Sequence, residues 1–181
     1  MIPRIAAGKS SMGGTMKRIV AVLATASAGC SPMPQTAEEF RQQIPTALMG
    51  SVQSFEANRP LREVARTFQA RAPQCLSAKV RTVSQTATSY QVIVAAYKPT
   101  VLVSDAKAEL HVQRKFESGV ISPRKEPEDG HYLLVADATP IDRNRTRVDI
   151  YGPTHGADAM IKAITAWANG TSTGCPDMTK N

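Results

Sequence analysis

Residues 107–116, KAELHVQRKF, alternate between apolar and polar side chains. In an extended chain successive side chains point to opposite faces, so the two sets separate onto the two sides of a strand. One side carries Ala108, Leu110, Val112 and Phe116, and the other carries Lys107, Glu109, His111, Gln113 and Lys115. The pattern predicts a β-strand with one face in the core and one face in water.

The same alternation predicts further strands on both sides of this stretch. They cover residues 51–57, 79–86, 89–97 with a continuation at 100–103, 131–138 and 145–151. From residue 78 onward the predicted strands are joined by short connections. Parallel pairing requires a long crossover, so these strands are expected to pair antiparallel.

Two longer segments carry apolar residues at helical spacing instead. The stripe of the first is Leu61, Val64, Ala65, Phe68 and Ala72, and that of the second is Ala157, Met160, Ile161, Ile164, Trp167 and Ala168. Pro73 is predicted to end or kink the first helix, because proline lacks a backbone N–H. A third, short helix is predicted near residues 36–44, with Thr36 as its N-terminal cap.

An amphipathic sheet and two amphipathic helices can bury their apolar surfaces against each other. We therefore expect a two-layer α+β domain, in which an antiparallel sheet of about five strands carries both helices on one face. This order of elements, over residues 50–170, is similar to that of helix-grip domains. It resembles in particular those of the C subunit of the outer-membrane β-barrel assembly machine, which is also a lipoprotein. The resemblance concerns the fold and does not carry a function.

Residues 17–34, KRIVAVLATASAGCSPMP, have the organisation of a secretory signal. A basic pair is followed by an apolar run and then by small residues. The apolar run is about half the length that a membrane-spanning helix needs. Within this stretch Ser27-Ala28-Gly29-Cys30 resembles the lipobox of bacterial lipoproteins, except that Ser27 stands where leucine is usual.

The lipobox resemblance implies cleavage before Cys30, lipid on its thiol and acylation of the new amino terminus, commonly with palmitate. It also implies anchoring at the periplasmic face of the outer membrane, because Ser31 is not an inner-membrane retention signal. The alternatives are an ordinary secretory signal and a buried cytosolic segment. The expected organisation is a mis-assigned start at 1–15, a signal peptide at 16–29, a tether with a short helix at 30–48, the domain at 49–170 and a tail at 171–181.

With Cys30 lipidated, an exported chain retains Cys75 and Cys175, each just past the end of one of the two longer helices. If both helices lie on one sheet face, their ends can be neighbours. We therefore expect a disulfide between these two cysteines. The alternative is a pair of free thiols.

Composition and motifs argue against several functions. The formal net charge is +7, but removal of residues 1–29 leaves 18 basic and 15 acidic residues, a net charge of +3. We therefore expect no binding of nucleic acid. His111, His131 and His155 lack the spacing of a helical metal pair, so no metal is expected. No G-x-S-x-G elbow or cofactor motif is present, so we expect neither a cofactor nor enzymatic activity.

The resulting expectation is a non-enzymatic envelope lipoprotein that acts as an interaction or assembly module with an envelope protein partner. The alternative is a lipoprotein that binds lipid or a small apolar ligand in a pocket between the sheet and the C-terminal helix. A solid core at Trp167, Ile164 and Phe68 favours the first, and a cavity beside these residues favours the second.

Overall fold

A six-stranded antiparallel sheet forms the centre of the domain. The computed structural model describes residues 33–118, 126–171 and 174–179. The strands are β1 (Gly50–Ala57), β2 (Ala78–Gln85), β3 (Tyr90–Val103), β4 (Ala108–Ser118), β5 (His131–Pro140) and β6 (Thr146–Pro153). The α+β class expected from the sequence is confirmed, with six strands instead of about five.

The sheet order is β1-β6-β5-β4-β3-β2. Strands β2 to β6 form a meander, and each pairs antiparallel with the next along the chain. Strand β1 pairs with β6 at the far edge, so the chain must cross the whole sheet between β1 and β2. A long helix makes that crossing.

This helix, α2 (Leu61–Leu76), and the last helix, α3 (Asp158–Ala168), pack with one sheet face to form the main core. Both apolar stripes predicted from the sequence are buried there. On the sheet side, the alternating residues Leu110, Val112, Val148 and Ile150 complete this core, each no more than 1% exposed. The inward face predicted for β4 is thus confirmed.

Helix α2 runs through Pro73 to Leu76, so Pro73 does not end it. The expectation that Cys75 lies just past the end of this helix is therefore wrong, because Cys75 belongs to its last turn. A proline near the last turn removes only one helical hydrogen bond. Cys75 and Leu76 are both buried in the core, which stabilises the turn that follows the proline.

The start of α2 and the end of α3 are joined by Arg59. Its Nη1 donates to the carbonyl oxygens of Trp167, at 3.0 Å, and Ala168, at 3.3 Å. These carbonyls belong to the last turn of α3, where the helix dipole makes a positive charge favourable. Gly170 follows with a φ of 76°, a left-handed conformation that glycine adopts without strain.

The first helix, α1 (Ala37–Gln43), packs on the opposite sheet face, and a 3₁₀ turn (Ile44–Thr46) follows it. Ala37 and Phe40 are buried there against Val135 of β5. The sequence analysis placed this helix with the tether. In the structure it belongs to the same compact unit as the sheet, and helices therefore cover both sheet faces instead of only one.

The C-terminal tail is attached to the core through a disulfide between Cys75 and Cys175, whose Cα atoms are 4.8 Å apart. This is the pairing predicted from the sequence. Met178, three residues beyond Cys175, is buried in the main core. Among the residues that the structure describes, no helix is both long and apolar enough to cross a membrane.

We expect Cys75→Ser to lower the midpoint of thermal unfolding. The bond joins residues 100 positions apart, and closing a loop of that size contributes up to about 4–5 kcal/mol in the chain-entropy model. Circular dichroism melts of the wild type, Cys75→Ser and Cys175→Ser, with and without reductant, provide the check. Reductant should lower the wild-type midpoint and leave both variants unchanged. Equal midpoints for all three proteins would contradict the prediction.

Candidate functional site

The cysteines predicted as functional residues fall in two parts of the chain. Cys30, the expected site of lipid attachment, lies outside the described residues. Cys75 and Cys175 are bonded to each other and hold the tail. The histidines are dispersed: His111 pairs with Val135, His131 pairs with Arg114, and His155 lies in an exposed turn.

A row of three carboxylates crosses the centre of the sheet on the face that carries α1. Glu109 of β4 pairs directly with Asp137 of β5, and Asp137 pairs directly with Asp149 of β6. We call these three residues the acidic row. Like charges directly opposite each other on neighbouring strands are destabilising, so this arrangement requires cations.

Arg41 of α1 is the cation at the centre of this arrangement. Its Nε and Nη2 donate to the two carboxylate oxygens of Asp137, each at 2.7 Å. Nη2 also donates to Glu109. One guanidinium thus binds two members of the acidic row, and the planar donor fork of arginine suits this two-pronged contact with Asp137.

Two further side chains complete the contacts of Glu109 and Asp137. The ammonium group of Lys107 lies 3.2 Å from Glu109 and 3.0 Å from Asp137. Nε2 of His111 lies 2.9 Å from a carboxylate oxygen of Glu109. The third member, Asp149, accepts hydrogen bonds from Arg147 and Ser54.

Aromatic rings beside these charges reduce their contact with water. The ring of Tyr132 lies 6.0 Å from that of Phe40 and 5.8 Å from that of His111, measured between centroids. Asp137 and His111 are each only 6% exposed. The charges are therefore partly desolvated, and losing one partner costs more than it would at the surface.

The electrostatic environment keeps the carboxylate of Glu109 ionised. Burial alone would raise its pKa, but hydrogen bonds from His111, Arg41 and Lys107 outweigh burial and lower the pKa from 4.5 to about 2. Burial alone would lower the pKa of Arg41, but its hydrogen bonds to Asp137 and Glu109 raise it well above the ordinary value. Burial and the charges of Asp137 and Asp149 raise the pKa of Tyr151.

This set of residues is suited to holding α1 on the sheet. A general base needs a free carboxylate with a pKa near the working pH, whereas the carboxylate of Glu109 is ion-paired and has a pKa of about 2. In residues 33–118, 126–171 and 174–179 there is no group of three or more His, Cys, Asp or Glu side chains arranged to hold a metal ion. We call Arg41, Lys107, Glu109, His111 and Asp137 the helix latch.

A cleft of about 810 Å³ lies at another place, where the start of α2 meets two turns of the sheet. Leu61, Val103 and Pro140 line it together with Arg62 and Arg143. It is not the pocket under α3 that a ligand-binding protein was expected to have. Trp167, Ile164 and Phe68 are each no more than 1% exposed and belong to one continuous core.

The sequence analysis missed the helix latch because it assigned the second face of β4 to water. That assignment is wrong for Glu109, which pairs with Arg41, and for His111, which is buried. The available signal was weak: polar residues recur at the outward positions of the strands, but no pattern places a particular arginine above them. The pairing of β4, β5 and β6 decides that the three carboxylates form a row.

Comparison with known proteins identifies no family for this chain. No family model matches the sequence, and no curated protein matches it. Three solved structures share a weak structural similarity. A hypothetical protein of Helicobacter pylori has a TM-score of 0.37 at 11% identity, covering 80% of this chain and 96% of its own.

The other two structures are more distant. A hypothetical protein of Sulfolobus tokodaii has a TM-score of 0.33 at 8% identity, with 66% of this chain and 86% of its own covered. A conserved protein of Geobacillus kaustophilus has a TM-score of 0.32 at 15% identity, with 67% of this chain and 90% of its own covered. Similarities at this level carry no argument about the fold or function of this chain.

We expect Arg41→Met to lower the free energy of unfolding by about 3 kcal/mol, because it leaves buried carboxylates with too few partners. Arg147→Met is the matched control. Arg147 also pairs with a member of the acidic row, but its side chain is 56% exposed, so its loss should cost less than about 1 kcal/mol. Urea unfolding of both variants measures the difference. Equal losses would contradict a special role for Arg41.

The pKa of Glu109 predicts acid sensitivity. It is about 2 in the folded chain against 4.5 ordinarily, so its stabilising contribution is complete above pH 4.5 and is lost as the pH falls towards 2. The contribution of this carboxylate to the free energy of unfolding is on the order of 3 kcal/mol. Urea unfolding of the wild type and of Glu109→Gln is measured across this pH range. The other carboxylates titrate in both proteins, so the difference between the two pH profiles reports Glu109. Parallel pH profiles would contradict the prediction.

Proposed function

We propose that this chain is a bacterial envelope lipoprotein, anchored through lipid on Cys30 at the periplasmic face of the outer membrane. Its domain acts as a non-enzymatic interaction or assembly module for an envelope protein partner. We further propose that the domain is a variant of the helix-grip fold, in which α2 and α3 lie on one face of the sheet and α1 is an addition on the other.

The observation that carries the proposal is the bond between Cys75 and Cys175. Structural disulfides form and persist in oxidising compartments, which supports export of the chain. The sequence contains three cysteines, so the bond leaves Cys30 as the thiol that remains for lipid attachment. This agrees with the position of Cys30 after a signal-like segment.

The helix latch supports a domain held close to its anchor. Six residues, 31–36, separate Cys30 from α1. The chain from Cys30 to the start of α1 therefore spans at most about 25 Å when fully extended. Since Arg41 attaches α1 to the sheet, the length of this short segment sets the maximum distance between the lipid and the domain.

The interior of the domain favours an interaction module over a ligand-binding protein. Trp167, Ile164 and Phe68 are buried, so no cavity lies beside them in the core that the described residues form. A groove of about 570 Å³ does lie between α3 and Gln53 of β1, but most of its lining side chains are polar, among them Asp158 and Lys162. Interaction modules act through their surface and need no internal cavity. The cleft at the start of α2 is an open surface feature lined by charged as well as apolar side chains.

Lipidation is tested on the protein extracted from its native envelope. We expect intact-mass spectrometry to show a mature chain that starts at Cys30 and carries acyl chains, and we expect this chain to fractionate with the outer membrane. Cys30→Ser should lose the lipid mass, whereas Cys175→Ser should retain it. A chain that starts elsewhere, or an unmodified Cys30, would refute the anchoring proposal.

The partner is sought separately by crosslinking in the native envelope. The interaction proposal expects a reproducible crosslinked protein whose yield falls when loss of the helix latch destabilises the domain, as in Arg41→Met. A lipidated protein that forms no crosslink at any exposed position would contradict the interaction role and leave the anchor intact.

A further inference from the structure

We propose that the turn at residues 47–49, which follows α1 and its 3₁₀ turn, inserts into the lipid surface beside the anchor. The inference rests on the proposed anchoring at Cys30 and adds a second, non-covalent membrane contact. Leu48 is 97% exposed and Met49 is 58% exposed. Leu48 is the most exposed large apolar residue among the described residues, and Met49 beside it extends the apolar surface of the turn.

The turn holds these side chains outward through a hydrogen-bonded backbone. The amide of Ala47 donates to the carbonyl of Ile44 at 3.2 Å, and the amide of Gly50 donates to that of Ala47 at 3.0 Å. The amide of Thr154, just after β6, donates to the carbonyl of Met49 at 2.9 Å. The exposure of Leu48 therefore belongs to an ordered turn, and its side chain is presented in advance of binding.

Gly50 makes this tight closure possible. A Cβ at this position would collide with the carbonyl oxygen of Ile44. The chain thus turns back on itself directly after α1 and enters β1. This geometry places Leu48 and Met49 at the corner where the anchored end of the domain meets the sheet.

Chain length keeps this corner within reach of the proposed anchor. Leu48 lies 18 residues after Cys30, and ten of the intervening residues, Ala37–Gln43 and Ile44–Thr46, are helical and therefore short in reach. Because the helix latch fixes α1 to the sheet, the turn that follows α1 cannot swing away from the anchor independently of the domain.

The size of the surface favours lipid over a protein as the occupant. A stable protein interface buries about 800 Å² on each partner, which two projecting side chains do not supply. A lipid surface needs no complementary shape, and apolar side chains enter its interface to a depth of about 5–10 Å. Glu38 and Glu39 are exposed on α1 and would be repelled by anionic headgroups, so the test uses zwitterionic vesicles.

The test places a tryptophan at the turn in the lipidated full-length mature protein, reconstituted in phosphatidylcholine vesicles. Leu48→Trp should fluoresce at shorter wavelength on reconstitution, and brominated phosphatidylcholine should quench it. The native Trp167 is 1% exposed and gives the same buried background in every variant. Ile141→Trp is the matched control, since Ile141 is 41% exposed in the turn at the opposite end of the sheet.

The outcomes are distinct. Quenching at position 48 with none at 141 supports the proposal, and equal quenching or none at both overturns it. Mass spectrometry and vesicle flotation of the same samples report lipidation, so a lipidated protein with an unquenched Trp at position 48 refutes the insertion alone. An unmodified Cys30 refutes the anchoring and the insertion together. A crosslink from position 48 to a protein in the native envelope, with no quenching in vesicles, would assign the turn to a protein partner and overturn insertion into lipid.

Discussion

One guanidinium resolves an electrostatic conflict at the centre of this domain. Glu109, Asp137 and Asp149 lie directly opposite one another on three neighbouring strands, an arrangement that costs free energy unless cations separate the charges. Arg41 supplies the central cation from outside the sheet. The sheet and the first helix therefore depend on each other: the helix neutralises the strands, and the strands hold the helix.

This dependence gives the domain two attachments of different chemistry on its two faces. On one face, ion pairs and the Phe40–Tyr132 contact hold α1, which follows the proposed anchor. On the other, a covalent bond from Cys75 and the burial of Met178 hold the tail against the helical core. The ionic attachment weakens in acid and the covalent one weakens under reducing conditions, so the two segments respond to different changes in the surroundings.

Both proposals for the protein depend on how little the N-terminal segment can move. A lipid anchor on a long, free tether would leave the orientation of the domain undetermined. Here a few residues separate Cys30 from a helix that is bound to the sheet, and the ordered turn after that helix presents Leu48 to the outside. A filled core beneath α3 agrees with this picture, because it leaves the outer surface as the place where the protein acts.

The sequence by itself determined the elements with strong periodicity, and it predicted the cysteine pairing that the structure contains. Alternation in β4 and the stripe that ends at Trp167 report which side of each element is apolar, and burial follows from that chemistry. Only the tertiary structure decided which residues form the helix latch. Which carboxylates become neighbours depends on strand register, and which arginine reaches them depends on where α1 docks, and neither leaves a local pattern. Tertiary packing also bears on Pro73: α2 continues past it, and burial of Cys75 and Leu76 in the core opposes the local cost of the proline.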